Sequence, residues 1–131
     1  MLNLLLVIST FTFSVAKSIT SLITGIAIDE HLIKSVNDPV INYIPDLIKT
    51  DSAYKKLHIS NLMDMRSGIQ FKDHDSPWGD KPKAYYSPNL RDRIMELPLE
   101  FEPGIRFKYN SYNPILIGMM LSDKSKDVEE D

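Results

Sequence analysis

The stretch from Lys17 to Asp29 constrains this chain more than any other, because no charged residue lies between those two positions. Val15, Ile19, Leu22, Ile23 and Ile26 recur at spacings of three and four, the period of one helical face. Ala16, Ala27 and Ile28 carry apolar surface around other sides, and the polar residues within (Ser18, Thr20, Ser21, Thr24) are small. A helix apolar on most sides belongs in an interior, so the pattern predicts a buried helix from about Lys17 to Ile28. The rest of the chain must then supply the surfaces that cover it. Lys17 becomes a charge at the start of a buried helix. It must either snorkel to the surface or find partners.

Ser14 precedes Lys17 by three residues, Ser14-Val15-Ala16-Lys17. In a helix that spacing stacks the two side chains on one face, a turn apart. An amine held in apolar surroundings loses its proton more easily than one in water, and a neutral amine beside a hydroxyl can act as its base. The pattern is common, however, and a second copy occurs at Ser52-Ala53-Tyr54-Lys55. That copy sits in a polar run with Lys49, Thr50, Asp51 and Lys56, the character of a solvated connection, whereas Ser14 lies between apolar blocks. A serine at a helix start is also an ordinary cap.

With 131 residues the chain is long enough for one domain with a real core. Its net charge of -3 comes without a basic patch, which argues against nucleic acid as a partner. The absence of cysteine excludes disulfides, thiolate zinc sites and a cysteine nucleophile. His74 between Asp73 and Asp75 does not make a metal site from three adjacent loop residues, and no metal or cofactor is expected. A membrane span across Met1–Ile28 would put Lys17 near its middle, so no stable span is expected. Met1–Phe13 is nevertheless mostly apolar, and Ser14-Val15-Ala16 offers the small residues of a signal-peptidase site. Cleavage after Ala16 would make this a small secreted helical protein, although no Lys or Arg precedes Lys17 to form a positive n-region.

Beyond the first helix the expectations are local. Asp38 and Pro39 suit the cap and first position of a helix through Val40, Ile41 and Tyr43. The segment from Asp46 to Lys56 reads as a loop or short helix. Ser60 reads as the N-cap of a short helix carrying Leu62, Met63 and Met65, closed by Ser67-Gly68, with the methionines as core filler. Gln70–Tyr86 has no period and is rich in turn formers, so it reads as a long loop, with Trp78 lining a pocket or covering the core edge. Ser87 and Pro88 open a helix through Leu90, Ile94 and Met95. Phe107 and Tyr109 alternate with Lys108 as a short extended piece. Pro114 fits the first turn of a last helix, and the charged run Ser122–Asp131 is expected to fray.

Phe13-Ser14-Val15-Ala16-Lys17-Ser18, Ser35-Val36-Asn37-Asp38-Pro39-Val40, Leu62-Met63-Asp64-Met65-Arg66-Ser67-Gly68 and Pro103-Gly104-Ile105-Arg106-Phe107-Lys108-Tyr109-Asn110-Ser111 follow one another in that order. This series resembles the serine beta-lactamase and penicillin-binding-protein superfamily, and within it the beta-lactamase-related serine hydrolases, which include esterases and enzymes of the 6-aminohexanoate-dimer hydrolase type. The resemblance runs from about Thr10 to Leu121. It implies an α+β fold of the beta-lactamase/transpeptidase type, an ester or amide as small-molecule substrate, and a periplasmic or secreted setting in many members. It further implies that Ser14 is acylated, that Lys17 helps to deprotonate it, and that Tyr109 shuttles the proton to the leaving group. A phenol, with an ordinary pKa of about 10, needs cationic neighbours for that task.

Three features depart from the family pattern. The third position of the tyrosine motif, often asparagine, is Ser111, which resembles the amidohydrolase-like branch and argues against beta-lactam turnover. The third motif, a Lys or His followed by Ser or Thr and then Gly, is missing: His31, His58 and His74 are followed by Leu32, Ile59 and Asp75. The strands that normally flank this region are not recognisable either. The chain therefore reads as a single incomplete domain over residues 1–131, mainly the helical part of the α+β fold with most of its sheet absent. The family's oxyanion hole takes one backbone N–H from such a strand, and losing a donor of that kind costs about 10²–10³ in rate. The other reading that follows is a non-catalytic fragment or pseudo-enzyme that keeps the pocket without turnover.

Overall fold

The computed structural model describes residues 15–72 and 88–130. Five α-helices are found there: α1 Val15–Asp29, α2 Leu47–Thr50, α3 Ile59–Met63, α4 Leu90–Met95 and α5 Tyr112–Glu130. Short 3-10 turns cover Val40–Asn42 and Ser52–Lys56. No strand occurs among the described residues, where isolated antiparallel bridges pair Pro39 with His58 and Ile69 with Leu99. The described residues form a mainly helical body, consistent with a partial fold. No helix of the described residues is long and apolar enough to cross a membrane.

The last helix, α5, is the element against which the others pack. α1, α3 and α4 each lie on it. Its inward face repeats at four residues, Tyr112–Leu116–Met120 and Asn113–Ile117–Leu121, all buried. The core continues through Ile33, Val40, Leu47, Leu57, Ile59, Leu62 and Ile94. Phe71 meets the Tyr112 ring edge-on, with centroids 5.3 Å apart, and Arg93 Nε donates to the Tyr112 hydroxyl at 3.0 Å.

Helix α1 spans the predicted segment, but it is not buried on most sides. Its inward face is narrow and made of small residues: Thr24 and Ala27 are buried, flanked by Ile23 and Ile28. Val15, Leu22 and Ile26 are 62%, 67% and 46% exposed. Thr24 satisfies its hydroxyl by donating to Thr20 O at 2.8 Å, which allows a hydroxyl in the contact. The helix ends in a Schellman arrangement: Leu32 N donates to Ala27 O, His31 N donates to Ile28 O, and His31 takes the left-handed conformation at φ 63°.

Several boundaries fall differently from expectation. Pro39 is the cap residue of the Val40–Asn42 turn, not its first helical residue, and Asp38 accepts from the Tyr43 hydroxyl at 2.5 Å instead of capping backbone. Ser60 lies inside α3. The cap is His58, whose N–H donates to the Asn61 side chain at 2.9 Å. The cap of α4 is Asn89, with Pro88 in the preceding turn. The charged C-terminal run does not fray by residue 122. Helix α5 continues to Glu130, with Asp123 held by Arg91 of α4 in a two-pronged pair at 3.0 and 2.6 Å and Lys124 paired with Asp127. Exposed pairs of this kind contribute about 0–1 kcal/mol, so the shared backbone of a long helix carries most of that extension.

Candidate functional site

The site begins with what positions Lys17. It stands on the first turn of α1, half-buried, and α1 packs on α5. Tyr109 comes three residues before α5, in a segment without regular structure. These two side chains meet: the Lys17 Nζ lies 4.7 Å from the centroid of the Tyr109 ring. An ammonium over a ring face gains about 0.5–1 kcal/mol at a partly exposed site, and Tyr109 is 46% exposed. Two of the three residues assigned to the chemistry by sequence are thus brought together by tertiary packing alone. The third, Ser14, lies outside the described residues, as do His74, Trp78 and Ser87.

An open cleft of about 230 Å³ lies beside Lys17. One wall is α1, with Lys17, Thr20 and Ser21. Leu62 and Met63 of α3, Asp64 and Met65 just beyond it, and Pro114 and Ile117 of α5 complete the lining. Its lining mixes apolar side chains with polar and charged ones, Lys17 and Asp64 among them.

Beneath Tyr109 the chain is buried and polar. Asn110, Ser111 and Asn113 are 1%, 4% and 0% exposed. Asn110 Nδ2 donates to Ile69 O at 2.9 Å, and Asn110 Oδ1 accepts from Tyr112 N at 2.9 Å. Asn113 Oδ1 accepts from the Ser67 hydroxyl at 2.7 Å, while Asn113 Nδ2 donates to Leu62 O at 3.2 Å. Ser67 Oγ in turn accepts from Ile69 N at 3.3 Å. No buried side-chain nitrogen or oxygen among the described residues is left without a partner. Ser111, expected at the third position of the tyrosine motif, is inside the protein below Tyr109.

Segment 65–70 grips the segment that carries Tyr109. Met65 O accepts from Lys108 N, Arg66 O from Gly104 N, and Gly68 O from Glu100 N, at 2.7–2.8 Å. Met65, two residues past α3, holds a left-handed φ of 57°, and the turn is closed by Arg66 N to Asn61 O at 2.8 Å. Gly68 has φ 77°, and a Cβ there would lie 2.0 Å from Phe101 O. Only glycine lets these backbones come so close. Met65 is therefore more than filler: its sulfur takes the Asn110 N–H at 3.5 Å.

Sequence reasoning did not single out Ser67, Met65 or Asn113 as site residues. A usable signal existed in Asn113, an amide between Tyr112 and Pro114 at the start of an apolar helical face. The second Ser-x-x-Lys copy behaves as a solvated turn: Ser52 and Lys55 are exposed in a 3-10 turn, while Tyr54 between them is buried with its hydroxyl donating to Leu97 O at 2.7 Å.

No curated protein matches this chain. Residues 11–126 match the Beta-lactamase family, which covers the α1 helix, the cleft, the Tyr109 segment and most of α5. With a match over most of its length, the chain belongs to the Beta-lactamase family, within the serine beta-lactamase/transpeptidase-like superfamily.

Proposed function

We propose that the chain carries the acylation machinery of a serine hydrolase of the esterase or 6-aminohexanoate-dimer hydrolase kind, acting on a small ester or amide. Family membership supports serine-hydrolase chemistry at the coarse level. The observation that carries the finer reading is the Lys17–Tyr109 contact at 4.7 Å beside an open cleft. In this reading the Ser14 hydroxyl attacks the substrate carbonyl. Its proton passes to the Lys17–Tyr109 pair and from there to the departing alcohol or amine. Water then attacks the acyl-serine ester, releases the acid and restores the hydroxyl. The ammonium over the phenol ring provides the cationic neighbour that a tyrosine needs for proton transfer at neutral pH.

The test is covalent labelling of the full chain with a fluorophosphonate probe, followed by peptide mapping. The expected result is one adduct, on Ser14, lost in Ser14→Ala and weakened in Lys17→Ala. A chain that takes no label at Ser14 overturns the hydrolase reading and leaves a binding module that has the cleft without turnover.

A further inference from the structure

We propose that Asp64 is the specificity-determining residue of the cleft, selecting ligands that carry a protonated amine on a short hydrocarbon body. The inference rests on reading the cleft as the substrate site. Asp64 closes α3, its backbone N–H donating to Ser60 O at 2.9 Å. The carboxylate itself gains nothing from that place. The carbonyls of a helix point out of its C-terminal end, where a negative charge is unfavourable. No neighbour balances it either. The ion pairs among the described residues engage other carboxylates, and no hydrogen bond among them holds the Asp64 side chain. The residue is exposed, and it lines the cleft.

The opposite charge lines the same cleft. Lys17 contributes to it from α1, with its ammonium 4.7 Å from the centroid of the Tyr109 ring. No ion pair joins Lys17 to Asp64, so neither charge neutralises the other. Two such charges orient what enters. A ligand ammonium is drawn to Asp64 and repelled by Lys17. An ester or amide carbonyl, negative at its oxygen, is drawn the other way, toward the Lys17–Tyr109 contact where the chemistry is proposed. Met63, Met65 and Ile117 offer apolar surface to the hydrocarbon part. The cleft holds about 230 Å³. At about 30 Å³ per water in the liquid, that is room for about seven non-hydrogen atoms, enough for a short alkyl chain with its amine. A primary ammonium also brings three N–H donors to a carboxylate that has only acceptors.

The test measures binding to the full chain by NMR titration. The probes are n-pentylamine, protonated at neutral pH, and n-pentanol, its uncharged counterpart of the same length. Amide signals of residues 62–65 report occupancy of the cleft. The amine is expected to bind about threefold more tightly, the gain from one partly exposed charge pair, and the preference shrinks as salt is added. Asp64→Asn keeps the size of the side chain and is expected to abolish the preference, whereas Asp64→Glu restores part of it. Equal affinity for the two probes in the unsubstituted chain overturns the inference. So does the lack of any response at residues 62–65, or a preference that survives Asp64→Asn. Within the hydrolase reading, Asp64→Asn also lowers kcat/KM for an aminoalkyl ester relative to the uncharged ester, chiefly through KM. Binding needs no turnover, so the two readings fail separately. A chain that prefers the amine but hydrolyses nothing fails the hydrolase reading alone, and one that hydrolyses esters without the preference fails this inference alone.

Discussion

The Lys17 ammonium stands 4.7 Å from the centre of the Tyr109 ring, joining the first turn of α1 to the segment just before α5. The pair gives a sharp substitution test. Tyr109→Phe keeps the ring face and the cation contact but deletes the hydroxyl. Ester hydrolysis is expected to fall by about 10²–10⁴, the range for losing a general acid–base group. Steady-state kinetics with a chromogenic ester checks it.

Ser67→Ala removes the donor to Asn113 Oδ1 and the acceptor for Ile69 N, both inside the protein. A buried amide left unpaired costs about 1–3 kcal/mol, which urea denaturation resolves. The double variant Ser67→Ala/Asn113→Ala should cost less than the sum of the single changes, because the two side chains share one bond.

Gly68→Ala has two penalties at once. The residue sits at φ 77°, and the new methyl would collide with Phe101 O at 2.0 Å. The backbones of residues 68 and 101 must separate, which also breaks the Glu100 N to Gly68 O bond. Destabilisation by more than about 1 kcal/mol is expected, measured as a lower urea midpoint.

Tyr54 predicts the alkaline limit of the fold. Burial, with a smaller contribution from the Asp51 carboxylate, raises its pKa well above the ordinary 10.0. The folded state thus holds the phenol proton more tightly than the unfolded chain does. Its stabilising contribution is fully present below pH 10.0 and is lost as pH rises above that value toward the raised folded pKa. Unfolding monitored against pH, with tyrosinate absorbance in parallel, should show Tyr54 ionising only as the protein opens. Tyr54→Phe, which cannot ionise, should lessen the loss above pH 10.0.

What the sequence determined by itself is local or one-dimensional. The uncharged run between Lys17 and Asp29 specified α1 within two residues at its start, because a 3.6-residue period needs no partner to be visible. The motif order around Ser14-Val15-Ala16-Lys17, Ser67-Gly68 and Tyr109-Asn110-Ser111 identified the family, since order survives without coordinates. Caps were less legible. His58 rather than Ser60 starts α3, because backbone pairing between Pro39 and His58 fixes where the chain turns before any cap residue can choose.

Only the tertiary structure decided which apolar residues of α1 are covered. Thr24 and Ala27 are buried, while the more hydrophobic Leu22 and Val15 are exposed. It also decided that Lys17 meets Tyr109. It likewise brought Asn113 of α5 to Ser67 and Met65, which precede it by 46 and 48 residues. Such convergence has no period and no motif, because it is set by the distance between two helix ends and by the requirement that every buried polar atom be paired.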